Sequence, residues 1–237
     1  MPGSMAPNIV LLPGLDGSGR MFSRLQHELA REATSRAVAY PSDRPLGYDD
    51  LVAYAADQLG EESVFLLGES FSGPIAVQIA ARFPKRIEGL ILAATFATPP
   101  LPPMLLQIGA RMNVRLIPKA IVHAFLRGTQ HDPEIAAEIN SLMDTLPPGV
   151  LSARLAEVAK VDVRDALRRV GCPILILHGT SDWLVFPGEA RQMAAIKPAA
   201  RVRFLPGPHM ILQRAAEPAA REILAFMQMC DARKACS

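Results

Sequence analysis

Cysteine is scarce in this chain. Cys172, Cys230 and Cys236 are an odd number and form no Cys-x-x-Cys pair. A disulfide framework and a thiolate zinc site are therefore not suggested, and a reducing cytoplasm fits best. His27, His123, His131 and His178 show no ligand spacing either, so neither a metal nor a cofactor is implied. Blocks of like charge are also missing. The 25 Lys/Arg and 23 Asp/Glu residues are scattered to a formal +2, which leaves no basic stripe for nucleic acid. The start, MPGSMAPNIVLLPG, lacks a basic region followed by an apolar stretch; no signal peptide is expected, and MPGS reads as a remnant added ahead of Met5. Residues 89–110 carry no charge, yet Pro99, Pro100, Pro102 and Pro103 interrupt them. Losing so many amide donors is costly in hydrocarbon, so no membrane span is predicted. No repeat of 20 to 50 residues is visible.

What is present is ample core material, since half the residues are apolar. Short apolar runs alternate with longer segments of helical period. NIVLLPG (8–14) precedes 20–31, SRAVAYP (35–41) precedes 48–59, and SVFLLG (63–68) precedes 72–83; IEGLILAAT (87–95) follows. The pattern resumes with CPILILHG (172–179), a helix near 188–196, RVRFLPG (201–207) and a last helix near 214–230. Continuous Val/Ile/Leu runs alternating with helices predict a mostly parallel sheet of about six strands in one α/β domain, built on βαβ crossovers. In the 72–83 helix, Ile75, Ile79 and Phe83 recur at i, i+4 and i+8, giving one apolar face ahead of Pro84. Residues 98–165 break the alternation with helical patterns at 104–126, 133–146 and 149–161. Too long for an ordinary connection, this segment is expected to be a lid on a core formed by 1–97 and 166–237.

In parallel sheets ligands bind beyond the carboxyl ends of the strands, so the polar residues at those ends matter most. Ser70 follows the run 63–68 in Gly-Glu-Ser-Phe-Ser-Gly, Asp182 follows ILILHGTS, and His209 follows RFLPGP. Gly68, Ser70, Ser72 and Gly73 either make a tight connection or hold a reactive hydroxyl at its apex. The order Ser, Asp, His with the serine on a strand-to-helix turn resembles the α/β-hydrolase superfamily, specifically its small bacterial carboxylesterase-like members. The resemblance implies an α/β-hydrolase fold and a serine hydrolase. In it Ser70 attacks an ester, His209 relays the proton and Asp182 orients the imidazole. It also implies an oxyanion hole from the backbone amides of Phe71 and of Leu15, in the loop LLPGLDGSG (11–19).

This chain departs from the family pattern in three places. Ser72 stands where Gly-x-Ser-x-Gly has its last glycine, Pro13 replaces the common histidine of the oxyanion loop, and nothing before Asn8 supplies the two extra strands of many relatives. Asp162 and Asp165 are rivals to Asp182, but they sit in a charged helical stretch that should face solvent. His178 reads as a packed strand-end residue. Glu69 either acts electrically on its neighbour or is an ordinary strand-end residue. Trp183 and Met210 line a pocket or pack in the core, and Asp16 and Ser18 shape the oxyanion turn. Met104, Leu105, Leu106, Ile108, Met112 and Ile117 suggest an aliphatic acyl pocket, although a lid also needs an apolar face to dock. Arg111, Arg115, Lys119 and Arg127 are compatible with a membrane surface or with an acyl-carrier partner. The expected substrate is therefore a small-molecule carboxylic ester with an aliphatic acyl group. A thioester on an acyl carrier is the alternative, and a non-catalytic binding protein a more distant one.

Overall fold

The computed structural model describes residues 8–111, 120, 123, 126 and 132–235. Six parallel strands form one sheet: β1 Asn8–Leu12, β2 Thr34–Ala37, β3 Val64–Glu69, β4 Ile87–Ala93, β5 Ile174–Gly179 and β6 Arg201–Leu205, in the spatial order β2-β1-β3-β4-β5-β6. The four inner strands are buried along nearly their whole length, which is why they read as unbroken aliphatic runs. Edge strands β2 and β6 are half-exposed and carry arginines.

Alternate side chains feed two cores. Val10, Leu12, Leu66, Leu90, Leu92 and Ile176 face α2 (Tyr48–Asp57), α3 (Gly73–Arg82) and α8 (Pro187–Ile196). Ile9, Leu11, Phe65, Leu67, Ile91 and Leu177 face α1 (Ser23–Leu29) and α10 (Ala216–Ala235). In α3, Ile75 and Ile79 are fully buried as their spacing predicts. Phe83 is not on that face: it lies just past the helix at its C-cap and is 37% exposed, because the chain turns out of the helix ahead of Pro84.

Between β4 and β5 lie α4 (Pro103–Arg111), α5 (Pro133–Thr145) and α6 (Pro148–Val158). The chain departs after Ala97 and rejoins at Val163, whose N–H donates to the Ala97 carbonyl at 2.9 Å. The short α7 (Arg164–Arg169) follows, with Leu167 buried in the first core. Asp132 caps α5 by accepting from the Ile135 N–H at 3.1 Å, and it pairs with Arg24 of α1 at 2.7 Å. Of the apolar lid residues suggested for an acyl pocket, Leu106 alone among the described ones lines the cavity below; Met104, Leu105 and Ile108 occupy the exposed face of α4. Met112, Ile117, Arg115, Lys119, Arg127 and His131 lie outside the described residues. Among the described residues, no helix is long and apolar enough to cross a membrane, and no group of His, Cys, Asp or Glu is placed to hold a metal.

Candidate active site

The strand order reverses between β1 and β3, so the loops leaving their carboxyl ends diverge and open a crevice. Ser70 stands there, directly after β3, with φ 49°. A non-glycine residue in this left-handed region is strained by about 1–3 kcal/mol and is held only where its surroundings enforce it. The surroundings here are close-packed. A side chain at Gly68 would put its Cβ 2.6 Å from the Ser72 carbonyl, and one at Gly73 would collide with Thr95. Thr95 in turn donates its hydroxyl to the Ser70 carbonyl.

The three strand-end residues converge. His209 Nε2 lies 2.9 Å from Ser70 Oγ, and His209 Nδ1 lies 2.8 Å from Asp182 Oδ2. The other Asp182 oxygen accepts from the Leu184 and Val185 amides, each at 2.9 Å, which fixes the carboxylate plane. His178 supports the same turn, its Nε2 donating to the Val185 carbonyl at 2.8 Å. Burial holds its pKa below the usual histidine value, so it stays neutral. The rivals are elsewhere: Asp162 and Asp165 are exposed and pair with Arg164 and Arg168.

Beside Ser70 is a cavity of about 240 Å³. Leu15 and Phe71 line it, and so do Leu106, Ile139, Leu142, Leu151, Leu155 and Val158 from the helices between β4 and β5. An apolar cavity of about 150 Å³ takes a benzene ring, so this one has room for a larger hydrocarbon group. Met210 lines it as well, whereas Trp183 is 56% exposed and does not.

A family model described as serine aminopeptidase, S33, matches residues 47–211. The chain belongs to this α/β-hydrolase family. Among curated proteins, the polyketide synthase ThaQ of Burkholderia thailandensis is 28% identical over 258 residues, covering 95% of this chain but only 12% of its own length. The pimeloyl-(acyl-carrier protein) methyl ester esterase of Aeromonas salmonicida is 27% identical over 199 residues, covering 76% of this chain and 78% of the esterase. Among solved structures, the enol-lactonase of Burkholderia xenovorans LB400 superposes with TM-score 0.85 at 19% identity, covering 96% of this chain and 94% of that one. A thermophilic esterase from Thermogutta terrifontis gives 0.78 at 23%, covering 94% and 90%. At these identities the structural likeness speaks for the fold alone.

Three features of this hydrolase's site escaped the sequence reading. Ser72, in the place of a motif glycine, is fully buried and makes specific bonds. Its hydroxyl donates to the Pro13 carbonyl, and Tyr40 OH lies 2.7 Å from it, so it ties the turn after β3 to the loop after β1. Glu69 is 7% exposed and lines the cavity, with Gln213 Nε2 donating to it at 2.9 Å. Burial pushes its pKa up to about 7, the Gln213 hydrogen bond opposes that, the Asp16 charge adds to it and His209 works against it. Arg154 of α6 reaches down to the loop after β1, 139 residues away in sequence. In that loop Asp16 accepts from the Ser18 N–H at 2.8 Å and from the Ser18 hydroxyl at 2.5 Å. The sequence places Asp16 and Ser18 in this turn and leaves Glu69 open between an electrical role and an ordinary strand end, but it gives no sign of the Ser72 bonds or of Arg154.

Proposed function

We propose that this hydrolase cleaves a carboxylic ester through an acyl-enzyme intermediate, with Ser70 as nucleophile, His209 as general base and Asp182 as the carboxylate that orients it. What carries the reading is the unbroken hydrogen-bonded line from Ser70 Oγ through the His209 ring to Asp182. A serine hydroxyl is weakly nucleophilic until a base takes its proton. His209 Nε2 accepts that proton as Ser70 Oγ bonds to the carbonyl carbon, then returns it to the leaving oxygen; water repeats the cycle to release the acid. The negative charge on the former carbonyl oxygen is met by the amides of Phe71 and Leu15, each worth about 3–4 kcal/mol in the transition state. The leucine-lined cavity takes an aliphatic acyl group. Residues 98–165 act as a lid on the core formed by 1–97 and 166–237.

A second reading is a thioesterase or acyl-transferring enzyme that acts on acyl-carrier thioesters. The relative named as a pimeloyl-(acyl-carrier protein) methyl ester esterase supports a carrier-borne acyl group, which this reading shares. The deciding experiment is intact mass after fluorophosphonate treatment of wild type and Ser70→Ala, followed by parallel panels of p-nitrophenyl esters and acyl-coenzyme A thioesters. One adduct on wild type alone, with ester turnover that Ser70→Ala abolishes, is the expected result. A folded wild type with neither adduct nor turnover would overturn the catalytic reading, and thioester turnover far above ester turnover would replace the first reading with the second.

A further inference from the structure

Arg154 is only 1% exposed, and no carboxylate lies within salt-bridge distance of it among the described residues. Burial lowers the pKa of its guanidinium, so its position carries a desolvation cost. Three of its donors go to backbone carbonyls: two through Nη1, to Leu15 and Asp16 at 2.8 Å each, and one through Nη2, to Pro41 at 3.3 Å. We propose that Arg154 is a positioning residue that aims the Leu15 N–H at the developing oxyanion. This rests on the ester-hydrolase reading above and on Leu15 as one of its two amide donors.

Two fixed peptide planes carry the inference. The Gly14 carbonyl accepts from the Gly17 N–H at 3.0 Å, and in a trans peptide the Leu15 N–H then points the opposite way, out of that turn. The next plane is held by Arg154 through the Leu15 carbonyl. With both planes set, the Leu15 N–H finds no backbone acceptor among the described residues, while Leu15 itself lines the Ser70 cavity. Gly17 has φ 71°, and a Cβ there would run into the Arg154 guanidinium, so the loop is shaped to receive this side chain. From the other side the loop is held by the Ser72 hydroxyl on the Pro13 carbonyl. Tyr40 joins the two clamps: its hydroxyl meets Ser72, and the Arg154 guanidinium sits 5.7 Å from the centre of its ring. Arg154 thus ties α6 to the oxyanion loop by hydrogen bonds to its backbone.

A simple strut between helix and loop would affect stability; a positioning residue affects the transition state. The test uses Arg154→Met, which keeps the buried stem, and Arg154→Lys, which keeps a cation and its donors, with urea unfolding of each as the folding control. On p-nitrophenyl esters, Arg154→Met is expected to lose about 100-fold in kcat, the order of one oxyanion donor, with KM moving less than about threefold. Affinity for a trifluoromethyl ketone, which forms the tetrahedral adduct, falls by a similar factor. Arg154→Lys lies between Met and wild type and carries the test alone if the Met variant does not fold. Wild-type kcat in a folded variant overturns the proposal, as does a loss confined to KM or to stability. Ser70→Ala in the same assay separates the two failures: full activity there sinks the hydrolase reading itself, whereas a dead Ser70→Ala beside a fully active Arg154→Met sinks only the role of Arg154.

Discussion

Glu69 makes stability fall as pH rises. In the unfolded chain its carboxyl titrates at the ordinary value of 4.5; in the folded protein burial beside Ser70 and Gln213 pushes it up to about 7. Between those values the folded state holds a proton that the unfolded state has released, so the contribution is fully present below 4.5 and is lost as pH climbs to about 7 and beyond. The interval corresponds to about 3 kcal/mol, a sizeable part of a typical folding free energy of about 5–15 kcal/mol. Glu69→Gln keeps the shape and a partner for Gln213 but cannot ionise. Urea unfolding of both proteins at pH 5 and pH 8 isolates the effect, because every other titrating group is shared. The variant should be more stable by about 3 kcal/mol at pH 8 and by less than about 1 kcal/mol at pH 5. An equal difference at the two pH values, or a less stable variant at pH 8, would refute the assignment of a protonated, buried Glu69.

Three further outcomes follow from the same site. Ser72→Gly, which restores the family motif, should lower stability by about 1–3 kcal/mol in urea unfolding, because it strips partners from the Pro13 carbonyl and Tyr40 OH; an unchanged midpoint would show those bonds to be idle. Asp182→Asn should cost about 10⁴-fold in kcat at neutral pH while the protein stays folded, since the imidazole loses the acceptor that selects its tautomer; stopped assays on a p-nitrophenyl ester measure it. Ile139→Trp fills the cavity from α5. It should depress kcat/KM for long acyl esters by about 10-fold or more while sparing acetate, and equal losses on both would place the acyl chain elsewhere.

Most of the fold was legible because strands buried on both faces leave a signal that needs no partner to interpret. Val64–Glu69 and Ile174–Gly179 could be nothing but interior strands, and the helix after each announced a parallel sheet. Ser70, Asp182 and His209 were legible for the same reason: topology brings strand ends together whatever lies between them. What was hidden depends on pairs that neither residue reveals alone. Ser72 looks like a weakened motif until Pro13 and Tyr40 are seen beside it, and Glu69 could equally be an ordinary strand-end residue until Gln213 is seen to close over it. Arg154 falls between Val150 and Val158 at i, i+4 and i+8 on the buried face of α6, where a charge has no apparent place, and only the carbonyls of Leu15, Asp16 and Pro41 beside it explain how it is accommodated. These residues share a consequence. In the proposed reading the reacting groups stand at strand ends of the sheet, whereas the residues around them come from the helices between β4 and β5 and from α9 (Ile211–Arg214), which carries Gln213. Substrate choice can therefore drift through Ile139, which lines the cavity, and pH response through Gln213, which bonds Glu69, while Ser70, His209 and Asp182 stay fixed.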